Sequence, residues 1–115
     1  FLQSLRPALA ERLGLGPDVL RARNPRLVYC SISGFGHTGP LRDAPGHDMN
    51  YAGLAGVSHQ SAGRDGTPAM SNVPAADLLG GTMTAVMGIL AALFDAARSG
   101  QGRHVDIAIT DGLLA

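Results

Sequence analysis

The 115 residues carry nine arginines, no lysine and nine acidic residues, so the formal net charge is zero. Scattered arginines in that balance argue against a binder of polyanions, which needs a basic surplus or stripe, and no nucleic-acid partner is expected. A single cysteine, Cys30, excludes an internal disulfide framework and fits a reducing, cytoplasmic setting.

Residues 6–13, RPALAERL, read as a short amphipathic helix closed by Gly14. GPDVLRARN opens a second helix, with Pro17 in its first turn and Pro25 just beyond its end. RLVYCSIS, residues 26–33, is apolar and β-branched without strict alternation, the pattern of a strand buried on both faces. Cys30 lies inside it and is expected to be a structural thiol. The Gly- and Pro-rich stretch GFGHTGPLRDAPGH then makes a loop past the carboxyl end of that strand, where open α/β sheets bind ligands. A helix is expected over 48–57, a polar loop over 58–74, and one long helix from about Ala75 to Arg98. At ~1.5 Å per residue that helix is about 36 Å long. Ser99-Gly100 stops it, RHVDIAIT forms a second strand, and TDGLLA reads as the opening turn of another helix.

This order of elements is the signature of α/β layering. The expected fold is α/β, with the long helix buried against a mostly parallel sheet. Residues 78–94 of that helix are seventeen in a row without a charge, short of the ~20 a membrane span needs. Asp77 and Asp95 bracket the run, and Gly and Thr dilute it, so a helix inside a soluble domain is expected and no membrane partner. The chain starts at Phe1 and stops within a helix-like turn, and residues 1–115 are expected to be an internal segment of a larger protein.

Asp77, in the first turn of the long helix, meets unpaired N–H groups and the positive end of the helix dipole. An ordinary helix-start acid would sit there too. Gly80 and Gly81 follow on the same turn, each costing ~1 kcal/mol of helix propensity. Small residues there would leave open space for a ligand to approach the helix. An apolar wall beside a carboxylate raises its pKa, as a general base requires. His47, thirty residues earlier, follows a Pro-Gly turn and projects from a helix start. Asp48 beside it either fixes the imidazole tautomer or caps the helix; adjacency leaves both open. His37, His59 and His104 read as structural, and the four histidines have no zinc-like spacing, so no metal is expected. SGFGHTGP, with Gly34 and Gly36, is neither a dinucleotide fingerprint nor a P-loop, although such a loop can present N–H groups to a phosphate or carbonyl oxygen.

Several stretches together resemble the family III CoA-transferases, which include the α-methylacyl-CoA racemases. They are LGLGPDVLRARNPRLVYCSISGFGHTGP, GHDMNYAGLAGV, AADLLGG and ILAALFDAARSGQGRHVDIAITDGLLA, in the family's order and spacing. The resemblance implies a segment of the Rossmann-like large, CoA-binding domain of a longer enzyme, with the small domain outside this chain. It also implies an interlocked homodimer and an acyl-CoA thioester as substrate, with no permanently bound cofactor.

In the family's transferases the aspartate matching Asp77 is a nucleophile that becomes a mixed anhydride and then a CoA thioester. In its racemases that aspartate is one acid/base group, and the histidine matching His47 is the other. GHDMNY is the racemase-like form, so the resemblance is closest to that branch. PAMSNVPAAD departs from the racemase form PPLNLV-x-D by setting Asn72 one place further from the acid, and contacts of that Asn do not carry over. The reaction implied is removal and return of the proton α to a thioester carbonyl, by bases of matched pKa on opposite faces of an enolate. Backbone N–H donors to the enolate oxygen are typically worth ~3 kcal/mol each. On this reading His47 and Asp77 are catalytic, while Gly46, Asp48, Tyr51, Gly34, Gly36, Gly80 and Gly81 line the substrate. A CoA-transferase using Asp77 as nucleophile is the alternative reading, and a non-catalytic helical module built on residues 75–98 a third.

Overall fold

A computed structural model describes all 115 residues. The elements run β1 (Leu2–Gln3), α1 (Pro7–Arg12), α2 (Pro17–Arg23), β2 (Tyr29–Ser33), α3 (Asp48–Leu54) and α4 (Val57–Gln60). A π-helical segment, π1 (Ala76–Met83), continues directly into α5 (Thr84–Ser99), followed by β3 (His104–Ala108) and α6 (Ile109–Leu114). Pro7 and Pro17 each sit at a first helical position, where a missing N–H is harmless and the fixed φ suits the helix. Gly100 ends α5 in the left-handed region, at φ 73°, its N–H donating to the Ala96 carbonyl at 3.0 Å.

The three strands form a parallel sheet in the order β1-β2-β3. The central strand reads as its composition demands: Tyr29, Cys30 and Ser31 are almost wholly buried. Burial pushes the Cys30 thiol up, which keeps it protonated and fits a structural role. The β2–β3 register pairs Ser31 with Asp106 and Ser33 with Ala108. β1 was not anticipated, because two residues are too few to show a periodicity. The helix expected over 48–57 is broken where Gly56 turns to φ 80°, separating α3 from α4.

The long helix exists over Ala76–Ser99, but its burial is one-sided, which corrects the expectation of an enclosed helix. Ala76, Gly80, Gly81, Ala85, Ala92 and Ala96 face the protein. Val28 packs with Ala92 and Ala96, and Val105 of β3 closes that cluster. Small side chains let the helix axis come close to the sheet. The large ones point outward: Leu79, Met83, Met87, Leu90 and Phe94 are each more than half exposed. By length and composition the helix is apolar enough to cross a membrane.

Candidate active site

The starts of α3 and π1 meet through one hydrogen bond, in which the Asp77 N–H donates to Asp48 Oδ1 at 2.9 Å. This answers which role Asp48 takes. It caps a helix start, and the helix is the long one rather than its own. His47 stands immediately before α3 in extended backbone, and its N–H donates to Asn50 Oδ1 at 2.9 Å. With its backbone held, the His47 ring is exposed beside a cavity of about 260 Å³.

His47, Asp48 and Asp77 share one electrostatic field. The Asp77 carboxyl titrates above the usual carboxylate range, first because neighbouring packing strips hydration and second because Asp48 is negative; His47 pulls the other way. A carboxylate so placed is a better proton acceptor than a solvated one.

Tyr51 lines the same cavity as His47. Its ring is buried, 6% exposed, and meets Phe35 edge-on at 5.4 Å between centroids. Burial first, and the charge of Asp77 second, push its phenol up, so it stays a neutral donor. Gly46 lies directly against it: an added Cβ there would stand 2.6 Å from the ring. Gly34 is as tightly pressed on the same ring. Both glycines line the His47 cavity, as the floor beneath Tyr51.

Three expected contacts are corrected. Gly80 and Gly81 do not leave the helix face open, since both are buried under α6. A Cβ on Gly80 would run into the Ile109 carbonyl, and one on Gly81 would lie 3.3 Å from the Ile109 side chain. Their smallness serves helix packing. Gly36 is not free to bind a phosphate through its N–H, which donates to Ser33 Oγ at 3.0 Å.

Residues missed in the sequence also appear. Arg6 and Arg42 line the His47 cavity, with guanidinium groups turned partly toward Asp43 and Glu11. Their sequence context carries no signal for this, because the approach is long-range. His37, His104 and Asp106 also gather, with ligating atoms within 4.8 Å of one another. His104 and Asp106 are two apart on one strand and so share a face, which alternation could have flagged. His37 arrives from the loop, and nothing local predicts that. Burial first, then the charge of His37, lowers the His104 pKa, with Asp106 opposing.

Known proteins match this chain along its whole length. The family model for CoA-transferase family III covers residues 1–115. The chain is 40% identical to human α-methylacyl-CoA racemase over 113 residues, which is 97% of this chain and 29% of that protein. It is 43% identical to succinate–glutarate CoA-transferase of Agrobacterium fabrum over 100 residues, 87% of this chain and 25% of that one. Among solved structures, a CaiB/BaiF family protein from Brucella suis superposes with a TM-score of 0.90 at 35% identity, covering 98% of this chain and 30% of that one. The chain therefore spans under a third of the length of each of these relatives.

Proposed function

The chain belongs to CoA-transferase family III, and from that premise we propose that its parent protein racemises α-methylacyl-CoA thioesters by two-base exchange of the α-proton. The observation that carries this reading is the joining of the His47 and Asp77 helix starts, by way of Asp48, into one field with the Asp77 pKa raised. Either base takes the α-proton as a planar enolate forms, and the other returns a proton to the opposite face. The product differs from the substrate only in configuration, so no atom is gained or lost. An imidazole ordinarily titrates near neutrality, and raising a carboxyl toward it narrows the mismatch that would otherwise favour one direction. Tyr51 stays neutral and lies near enough to Asp77 to feel its charge. Gly34 and Gly46 let the Tyr51 ring pack against the backbone at the cavity wall, while Asp48 positions Asp77.

A CoA-transferase remains the second reading, favoured by the transferase relative at 43% identity. There Asp77 attacks an acyl-CoA carbonyl and CoA leaves as thiolate; that thiolate then attacks the Asp77 carbonyl of the mixed anhydride, giving an aspartyl-CoA thioester and releasing the donor acid as its carboxylate. One experiment separates the two. The purified parent is incubated with an α-methylacyl-CoA in D2O. Deuterium at Cα with loss of optical activity is expected, and both should vanish in His47→Ala and in Asp77→Asn, by about 10²–10⁴-fold for a lost acid/base group. Unchanged exchange in the double variant would sink the racemase. Retained turnover in His47→Ala, together with a mass increase on Asp77 corresponding to a CoA adduct, would assign the transferase.

A cytoplasmic location, an interlocked homodimer and an acyl-CoA thioester as substrate belong to the same reading. The seating of the long helix on the sheet, through Val28, Ala92, Ala96 and Val105, supports a helix packed within the protein. Extraction of the parent from membranes by alkaline wash checks the location.

A further inference from the structure

Apart from the His47–Asp77 region, one other cluster brings ligating side chains together. We propose that His37, His104 and Asp106 form a binding site for a divalent transition cation such as Zn²⁺. The three come from two separate parts of the chain, and their ligating atoms lie within 4.8 Å of one another. On a tetrahedral cation with ~2.0–2.1 Å bonds, ligand atoms stand about 3.4 Å apart. The trio thus needs to close by little more than 1 Å, which rotation of the loop-borne His37 side chain supplies.

Three independent observations point to a ligand there. His37 Nε2 is buried with no hydrogen-bond partner. Buried polar atoms are nearly always paired, so an orphaned imidazole nitrogen beside a second imidazole and a carboxylate calls for something between them. The set is also held in place from behind. Ser31 Oγ, itself fully buried, lies 2.8 Å from His104 Nε2 and donates to Asp106 Oδ1 at 3.4 Å. Outer contacts of this kind orient the imidazoles that metals use. The His37 backbone N–H donates to Asp106 Oδ2 at 3.0 Å, and a carboxylate has lone pairs left after two such bonds. Third, a cavity of about 410 Å³ reaches both imidazoles and is walled by Glu11 and Asp18, which gives a cation an approach lined with negative charge.

Two nitrogens and one oxygen select against Ca²⁺ and Mg²⁺, which take oxygen ligands, and for zinc, cobalt, nickel or copper. Three protein ligands leave a further position for water. A cation there would fasten the loop between β2 and α3 onto β3. That loop ends at His47, so the metal acts as a staple behind the proposed reacting pair and takes no part in its chemistry.

The parent protein, stripped with a chelator and dialysed, is titrated calorimetrically with Zn²⁺ and separately with Co²⁺ under visible absorption. One Zn²⁺ per chain is expected, with Co²⁺ bands of mixed nitrogen and oxygen coordination. His37→Gln and His104→Gln should each weaken binding by roughly tenfold or more and abolish the Co²⁺ bands. His59→Gln, on α4, should leave both intact. His37 lies in a loop, so its variant carries the test even where His104→Gln fails to fold. No saturable binding in the parent would overturn the site. So would binding and spectra unchanged in His37→Gln, which would mark an adventitious ion only. Racemase turnover of the same samples is read separately, so failure of that activity leaves the metal result standing.

Discussion

At the scale of single residues, Asp77 is the most informative. Its carboxyl binds a proton more readily in the folded protein than in the unfolded chain, so its ionisation opposes folding. Stability from this source is fully present below the ordinary carboxyl pKa, falls as pH rises toward the raised one and is lost above it. Asp77→Asn should therefore raise the melting temperature of the parent at neutral pH, and the gain should fade once the pH drops below the ordinary carboxyl range. Melting scans of both proteins across pH read this directly. Asp48 supplies part of the upward push. Asp48→Asn keeps an oxygen to accept the Asp77 N–H but removes the charge, so the acid limb of the kcat/KM profile should move to lower pH. An unmoved limb would mean that another group sets it.

At the scale of elements, the contact between π1 and α6 is decided by two glycines. A Cβ on Gly112 would run into the Gly80 carbonyl, and one on Gly80 into that of Ile109. Gly80→Ala and Gly112→Ala should each destabilise the protein by about 1–3 kcal/mol, as overpacking does. Gly53, exposed on α3 with open space around it, should behave oppositely. There Gly→Ala should stabilise by ~0.5–1 kcal/mol, because the helix gains propensity at no steric expense. Denaturant midpoints of the three variants check both signs. Pattern and punctuation made α1, α2, β2, the long helix and β3 legible, because each carries an apolar periodicity or run set off by Pro or Gly nearby in the sequence. The π-helical geometry of Ala76–Met83 was not legible. It is accompanied by side-chain bonds to backbone carbonyls, from Thr82 Oγ1 to Asp77 and from Thr84 Oγ1 to Gly80 and Gly81, and an apolar repeat carries no mark of them.

For the molecule as a whole, shape and surface tell one story. The chain extends 55 × 30 × 20 Å with a radius of gyration of 15.9 Å, against about 13 Å for a compact domain of this length. Large apolar side chains occupy the outer face of the long helix, with Leu90 62% and Phe94 67% exposed. Contiguous apolar faces of that kind drive association in water. Residues 1–115 expressed alone should self-associate, and Leu90→Gln with Phe94→Gln should shift the population toward monomer in sedimentation. A monomer without these substitutions would show that the face is tolerated by solvent.

By itself the sequence determined the α/β order of elements, the family and the two residues proposed to react, because each rests on local pattern or on short motifs in fixed order. Only the tertiary structure decided what the neighbours of those residues do. It gave Asp48 to the Asp77 backbone, turned Gly80 and Gly81 from open space into a helix contact, and carried His37 across to His104 and Asp106. The physical reason is the same in each case. A hydrogen bond, a steric contact or a ligand set depends on which atoms meet in space, and residues from 29 to 69 positions apart meet here only because the sheet and the long helix bring them together.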